Sequence, residues 1–90
     1  MNIIDEVKEE LARATAKYPT WPNDPLHALA VLGEEYGELN KAALQFTYEP
    51  HKTSLRAVRE EAIQTAAMAL RFAMSLDKYV YAASPQHTQQ

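Results

Sequence analysis

Ala62-Ile63-Gln64-Thr65-Ala66-Ala67-Met68-Ala69-Leu70-Arg71-Phe72-Ala73-Met74-Ser75-Leu76 carries a single charged side chain, Arg71, and is rich in alanine. A helix with so little charge wants neighbours nearly all round it. Three helices drawn from one short chain do not easily surround such a segment. It therefore predicts a bundle completed by self-association, with the second and third helices at its centre.

Thr53 or Ser54 is placed to cap this helix, which on sequence reaches about Ala82. Before it, Thr47 to Thr53, with Pro50, reads as a connection. A second helix is expected from about Pro25 to Phe46, with Asp24 as N-cap and Pro25 in the first helical position. It carries two apolar stripes, Leu32, Tyr36, Leu39, Ala43 and Phe46 on one, and Leu26, Leu29, Ala30 and Gly33 on the other. Packing on two sides follows. Gly33 and Gly37 lie four apart on one face, where the absence of a side chain lets a neighbour approach closely. From about Asn2 to Lys17, Ile4, Val7, Leu11, Ala14 and Tyr18 form one stripe on an otherwise charged first helix. The prolines of Tyr18-Pro19-Thr20-Trp21-Pro22-Asn23-Asp24-Pro25 separate the first two helices. The fold class is all-α, an antiparallel bundle of about three main helices assembled as a dimer or tetramer. One domain is expected over residues 1–83, followed by a polar tail, 84–90, that reads as disordered.

Composition narrows the partners. Ninety residues with 47% hydrophobic content and two glycines suit one small domain whose limited core gains from an oligomer. With no cysteine, disulfides, zinc thiolates and a cysteine nucleophile are excluded, and a reducing, cytoplasmic setting is expected. A net charge of -3 without a Lys/Arg cluster argues against a nucleic-acid polymer as partner. No apolar run is long enough to cross a bilayer, so no membrane role is expected.

Two acidic clusters stand inside the apolar periodicity, Glu34-Glu35-Tyr36-Gly37-Glu38 and Glu60-Glu61-Ala62-Ile63-Gln64. Glu35 and Glu38 are three apart, as are Glu61 and Gln64, so each pair projects oxygens from one side of its helix. On antiparallel neighbours the four side chains can meet. Three carboxylates and an amide carbonyl in one pocket repel unless a cation neutralises them, and an all-oxygen set suits Mg²⁺, with Mn²⁺ as a second choice. The plain alternative for either cluster alone is a solvated helix face with ordinary surface ion pairs.

The run from Ala30 to Leu39, followed by Glu60-Glu61-Ala62-Ile63-Gln64, resembles the paired motifs of the all-α, MazG-like nucleoside triphosphate pyrophosphatases, Glu-Glu-x-x-Glu and then Glu-x-x-Asp. The likeness spans roughly Lys17 to Tyr79. It implies a helical dimer or tetramer that hydrolyses a nucleoside triphosphate between its α and β phosphates, using magnesium. It further implies that Glu35, Glu38, Glu61 and Gln64 hold metal and that Glu34 or Glu60 orients or activates the attacking water. Gln64 departs from the pattern, standing where the family has aspartate. An amide oxygen still coordinates a hard cation but brings no charge and accepts no proton. Two outcomes remain open, a working enzyme with a modified metal set or a non-catalytic nucleotide-binding or oligomerisation protein of the same fold.

Four further residues are read as substrate contacts, each with a structural alternative. Trp21 is the aromatic candidate for stacking on a base, or else a lid over the core. Arg71, seven beyond Gln64, can reach phosphate oxygens or pair with a glutamate. Lys41 has the same choice with the surface reading favoured, and Asn40 can bond a base, a sugar or a neighbouring helix. His27, His51 and His87 lack metal-ligand spacing, and Ser54, Ser75 and Ser84 lack an arranged base.

Overall fold

The computed structural model describes residues 1–82, and these form three α-helices and no strand. Helix α1 spans Ile3–Lys17, α2 Pro25–Tyr48 and α3 Leu55–Met74, with 3₁₀ turns at Pro50–Lys52 and Leu76–Lys78. The expected tail from Ser84 lies outside the described residues, as does the domain end at residue 83.

Each start is fixed by a side chain that accepts orphan backbone N–H groups. Asn2 Oδ1 accepts from Asp5 N–H at 2.9 Å, Asp24 Oδ1 from Leu26 N–H at 2.8 Å, and Ser54 Oγ from Ala57 N–H at 3.1 Å. Asp24 and Pro25 thus act as the sequence predicted, and Ser54 rather than Thr53 caps α3.

Helix α3 lies between the other two. Glu6 meets the Arg59 guanidinium through both its oxygens, at 2.6 and 2.7 Å, while the Tyr18 carbonyl accepts from Arg71 at 2.7 Å. Both links pair residues 53 positions apart, so α1 and α3 run in the same direction. Helix α2 runs the opposite way, folded back across the short connection. The centre is made of small side chains: Ala14 and Ala67 are buried together with Met68, and Val7, Leu11, Trp21 and Leu32 pack round them. Ala28 is wholly buried as well, and no large side chain is fully buried.

The first stripe of α2 turns inward at Leu32, Leu39, Ala43 and Phe46, with Tyr36 outside it. Its second stripe is exposed among the described residues. Leu26 is 74% exposed and Tyr48 77%, with Leu29, Ala30 and Leu44 exposed between them. A Cβ built on Gly33 or Gly37 would touch no other atom within 4 Å. On α3 the side chains of Leu55, Ala62, Ala69, Leu70 and Ala73 are also exposed.

Helix α1 starts one residue later and α2 ends two residues later than the sequence reading, and one boundary differs by much more. Helix α3 stops at Met74 instead of continuing to about Ala82. Trp21 Nε1–H donates to the Tyr79 hydroxyl at 2.9 Å, and that hydroxyl donates to the Phe72 carbonyl at 3.1 Å. In a continuous helix, seven residues at about 1.5 Å each would separate Tyr79 from Phe72 by two turns, beyond the reach of that bond. The chain bends back instead, and Val80 N–H donates to Asn23 O at 2.8 Å. Tertiary bonding ends the helix where apolar periodicity alone would extend it. Tyr79→Phe removes both bonds of this relay and is expected to cost about 1–2 kcal/mol, since it leaves the Trp21 N–H unpaired. Denaturant unfolding followed by Trp21 fluorescence reads the loss.

Candidate functional site

The two acidic clusters occupy facing turns of α2 and α3. Thr65 pins them: its hydroxyl lies between two carbonyl oxygens, Glu61 O at 2.8 Å on its own helix and Glu35 O at 3.1 Å across the seam. Threonine in a helix often returns its hydroxyl to the carbonyl one turn back. Here the same group also reaches α2, holding the backbone of Glu35 against the turn that carries Glu61.

Burial pushes the Glu35 carboxyl above the ordinary glutamate range, and the charges of Glu61, Glu38, Glu10 and Glu34 push it further. A half-buried acid surrounded by acids disfavours its own charge. Among the described residues, however, no three carboxylate or imidazole groups stand together in a set that would hold a metal ion. The seam gathers negative potential without closing into a cage.

A cavity of about 450 Å³ opens beside Glu35. Ala14, Val31, Met68, Trp21 and Pro22 give it an apolar wall, while Glu10, Arg13, Glu35, Gln64 and Arg71 supply polar groups. Its size and mixed lining are those of a small-molecule site. Four residues picked from sequence therefore share one cavity: Glu35, Gln64, Trp21 and Arg71. The Arg71 guanidinium lies 4.6 Å from the centre of the Trp21 ring, a cation–π contact, while it holds the Tyr18 carbonyl. Trp21 is tied to Tyr79 at its other edge, so indole and guanidinium form a fixed wall.

The remaining sequence candidates lie elsewhere. Glu61 is half-buried near Glu35, and Glu38 is exposed. Glu34, Asn40 and Lys41 are exposed on α2 and line neither this cavity nor its neighbour. Glu60 faces a second cavity of about 370 Å³, between α1 and α3, and its carboxylate pairs with Arg56 at 3.4 Å. Gln64 borders both cavities.

Sequence reasoning missed Glu10, Arg13 and Thr65. Glu10 lies beside the buried stripe of α1, three after Val7 and four before Ala14, a spacing that places its carboxylate at the edge of the packed face. Arg13 binds it through two N–H groups, Nε at 3.0 Å and Nη2 at 2.5 Å. That contact raises the Arg13 pKa, first through the hydrogen bond and then through the charge of Glu10. For Thr65, the available signal was a hydroxyl residue one turn after Glu61 in an otherwise apolar run.

No family model matches the chain, and neither does any curated protein or solved structure.

A carboxyl whose folded pKa is raised binds its proton more readily in the folded chain than in the unfolded one, so stability falls as pH rises through that window. Glu35→Gln removes this charge. The parent is expected to lose stability as pH climbs from the ordinary glutamate value through the raised one, whereas Glu35→Gln has a flatter profile and equal or greater stability at neutral pH. Thermal unfolding across pH 4 to 8, approximately the range in which such acids titrate, measures the difference.

Proposed function

We propose that this chain is a magnesium-dependent nucleoside triphosphate pyrophosphohydrolase, acting as a homodimer or homotetramer. One observation carries the reading: the crowded carboxyl of Glu35 lies at the α2–α3 seam and opens into the same cavity as Gln64, Trp21 and Arg71. An electrostatic deficit beside a cavity of small-molecule size is what a cation-assisted phosphate site requires.

The proposed donors suit a hard divalent ion by their chemistry, although the described residues do not bring three of the acids together as a ready-made set. Glu35, Glu38 and Glu61 provide anionic oxygens and Gln64 a neutral one, with no soft ligand among them. Bound there, Mg²⁺ would neutralise phosphate charge and position water for in-line attack. The chain's own part is to hold the triphosphate in one orientation and shield the reacting end from bulk water. Trp21, which lines the cavity, is the proposed platform for a base, and Arg71, stacked on its ring and locked to the Tyr18 carbonyl, holds it in place. Glu34 or Glu60 is the proposed water-orienting carboxylate, and of the two Glu60 borders a cavity.

A second reading is a nucleotide-binding protein of the same fold without turnover. The neutral amide at Gln64 and the open spacing of the acids favour it.

Turnover decides between them. Incubated with ribo- and deoxyribonucleoside triphosphates and Mg²⁺ or Mn²⁺, the parent is expected to release pyrophosphate and monophosphate. Glu38→Gln is expected to abolish release with helicity retained, and Gln64→Asp to preserve or raise it. Equal turnover by Glu38→Gln and the parent would reject the site.

Self-association is supported by the unpartnered apolar face of α2, where Leu26, Leu29, Leu44 and Tyr48 are exposed beside two glycines with open space above them. Contiguous exposed apolar surface on one helix face is what an interface between copies would cover. Light scattering is expected to give a mass above that of one chain, falling toward the monomer in Leu44→Glu. A monomeric parent at high concentration would contradict the assembly.

A further inference from the structure

We infer that Arg13 is the exchangeable anion contact of this cavity, with the Glu10 carboxylate occupying, in the free protein, the position that a ligand's phosphate takes over on binding. The inference rests on the nucleotide reading above and extends it to α1, a helix to which that reading assigns no role.

Two arginines border the cavity, and they are held differently. Arg71 is buried, stacked on Trp21 and bonded to a backbone carbonyl that has no way to leave. It is part of the wall. Arg13 is 57% exposed in its side chain and is fixed only by a carboxylate three residues earlier on the same helix, itself 16% exposed. Arg13 keeps water on its outer side, so its guanidinium can leave the pair without being stranded, whereas the largely covered Glu10 carboxylate needs another cation in its place. The geometry of the pair also matters. Glu10 fills the guanidinium fork with two oxygens, the planar two-bond arrangement in which arginine also receives a phosphate.

The place of the pair in the fold gives the exchange a use. Glu10, Arg13 and Gln64 border both the cavity beside Glu35 and the neighbouring one beside Glu60. They form the partition between a space with an apolar, tryptophan-lined wall and an acidic space lined by Glu6, Glu9, Glu10 and Glu60, in which Arg13 is the one cationic lining side chain among the described residues. A ligand with a flat apolar end and an anionic chain that carries its own divalent cation would set its chain at this partition, on Arg13. Turning the Arg13 fork from Glu10 to that chain exchanges one charge-assisted pair for another. The released Glu10 carboxylate, little exposed and close enough to act on Glu35, is then balanced by the cation brought in with the ligand.

Trp21 is the chain's only tryptophan and lines the cavity, so its fluorescence reports binding without any need for turnover. The experiment titrates parent, Arg13→Gln and Glu10→Gln with α,β-methylene analogues of a purine and a pyrimidine deoxynucleoside triphosphate, in the presence of Mg²⁺. Inorganic tripolyphosphate serves as the phosphate-only probe. Arg13→Gln is expected to weaken binding of all three probes about tenfold, the order expected for one lost charge-assisted bond. Glu10→Gln is expected to tighten it several-fold, because the internal competitor is gone. The opposite signs are the discriminating feature. Both substitutions break the same ion pair, so a purely structural pair would shift binding in the same direction in the two variants. Binding by the parent with both variants unchanged, or with both weakened alike, overturns the role of Arg13 and leaves the nucleotide reading standing. No fluorescence response and no calorimetric heat from the parent with any probe at millimolar concentration overturns the nucleotide reading and the inference together.

Discussion

Close approach at alanine governs this structure. Ala14, Ala28 and Ala67 occupy buried positions where longer side chains would hold the helices apart, and α1 and α2 both settle against α3. With so little bulk between the helices, the groups just outside the packed line are drawn together as well. Thr65 reaches a carbonyl of the neighbouring helix, and Glu35 enters the field of Glu61 and Glu38. The acidity of the seam follows from packing distance as much as from the number of glutamates. It also opposes folding, since each ionised neighbour raises the free energy of the Glu35 carboxylate.

The same economy of bulk leaves the chain with two different outer surfaces. On one side Glu10, Glu35, Gln64 and Met68 line a cavity whose wall is braced by the Arg71, Trp21 and Tyr79 contacts. Elsewhere α2 carries a run of exposed leucine, tyrosine and glycine, and α3 exposes alanines. Among the described residues the buried apolar core is three alanines, a methionine and a tyrosine, which is the usual circumstance in which a short domain gains from burying more surface against a copy of itself. In the proposed assembly, catalysis and association would use separate faces of α2.

Much of the fold was legible because its signals are local. The caps at Asp24 and Ser54, the proline-rich break after Tyr18 and the nearly uncharged third helix each express backbone or solvation rules that operate within a few residues. The end of α3 was not legible, because the relay from Trp21 through Tyr79 to Phe72 joins residues up to 58 positions apart and has no periodicity to betray it. The cavity was partly legible. Gln64, Glu35, Trp21 and Arg71 were readable as polar or aromatic interruptions of apolar runs, and they share one space. Asn40 and Lys41 interrupt the same pattern but project from α2 into solvent, a distinction that depends on where α3 lies and not on spacing along α2. Glu10 and Arg13 escaped because a charged pair on an amphipathic helix has the same spacing whether or not a cavity lies beneath it.

The proposed chemistry depends on acids from two helices serving one cation, and paramagnetic Mn²⁺ titrated into isotopically labelled protein tests that most directly. Relaxation by a single bound ion falls off steeply with distance, so the pattern of broadened amide signals locates it. The account predicts saturable broadening of amides round Glu35 and Glu38 on α2 and round Glu61 and Gln64 on α3, at the same Mn²⁺ concentration and reversed by excess Mg²⁺. Broadening confined to one of the two helices, or spread without saturation over all exposed carboxylates, would contradict it.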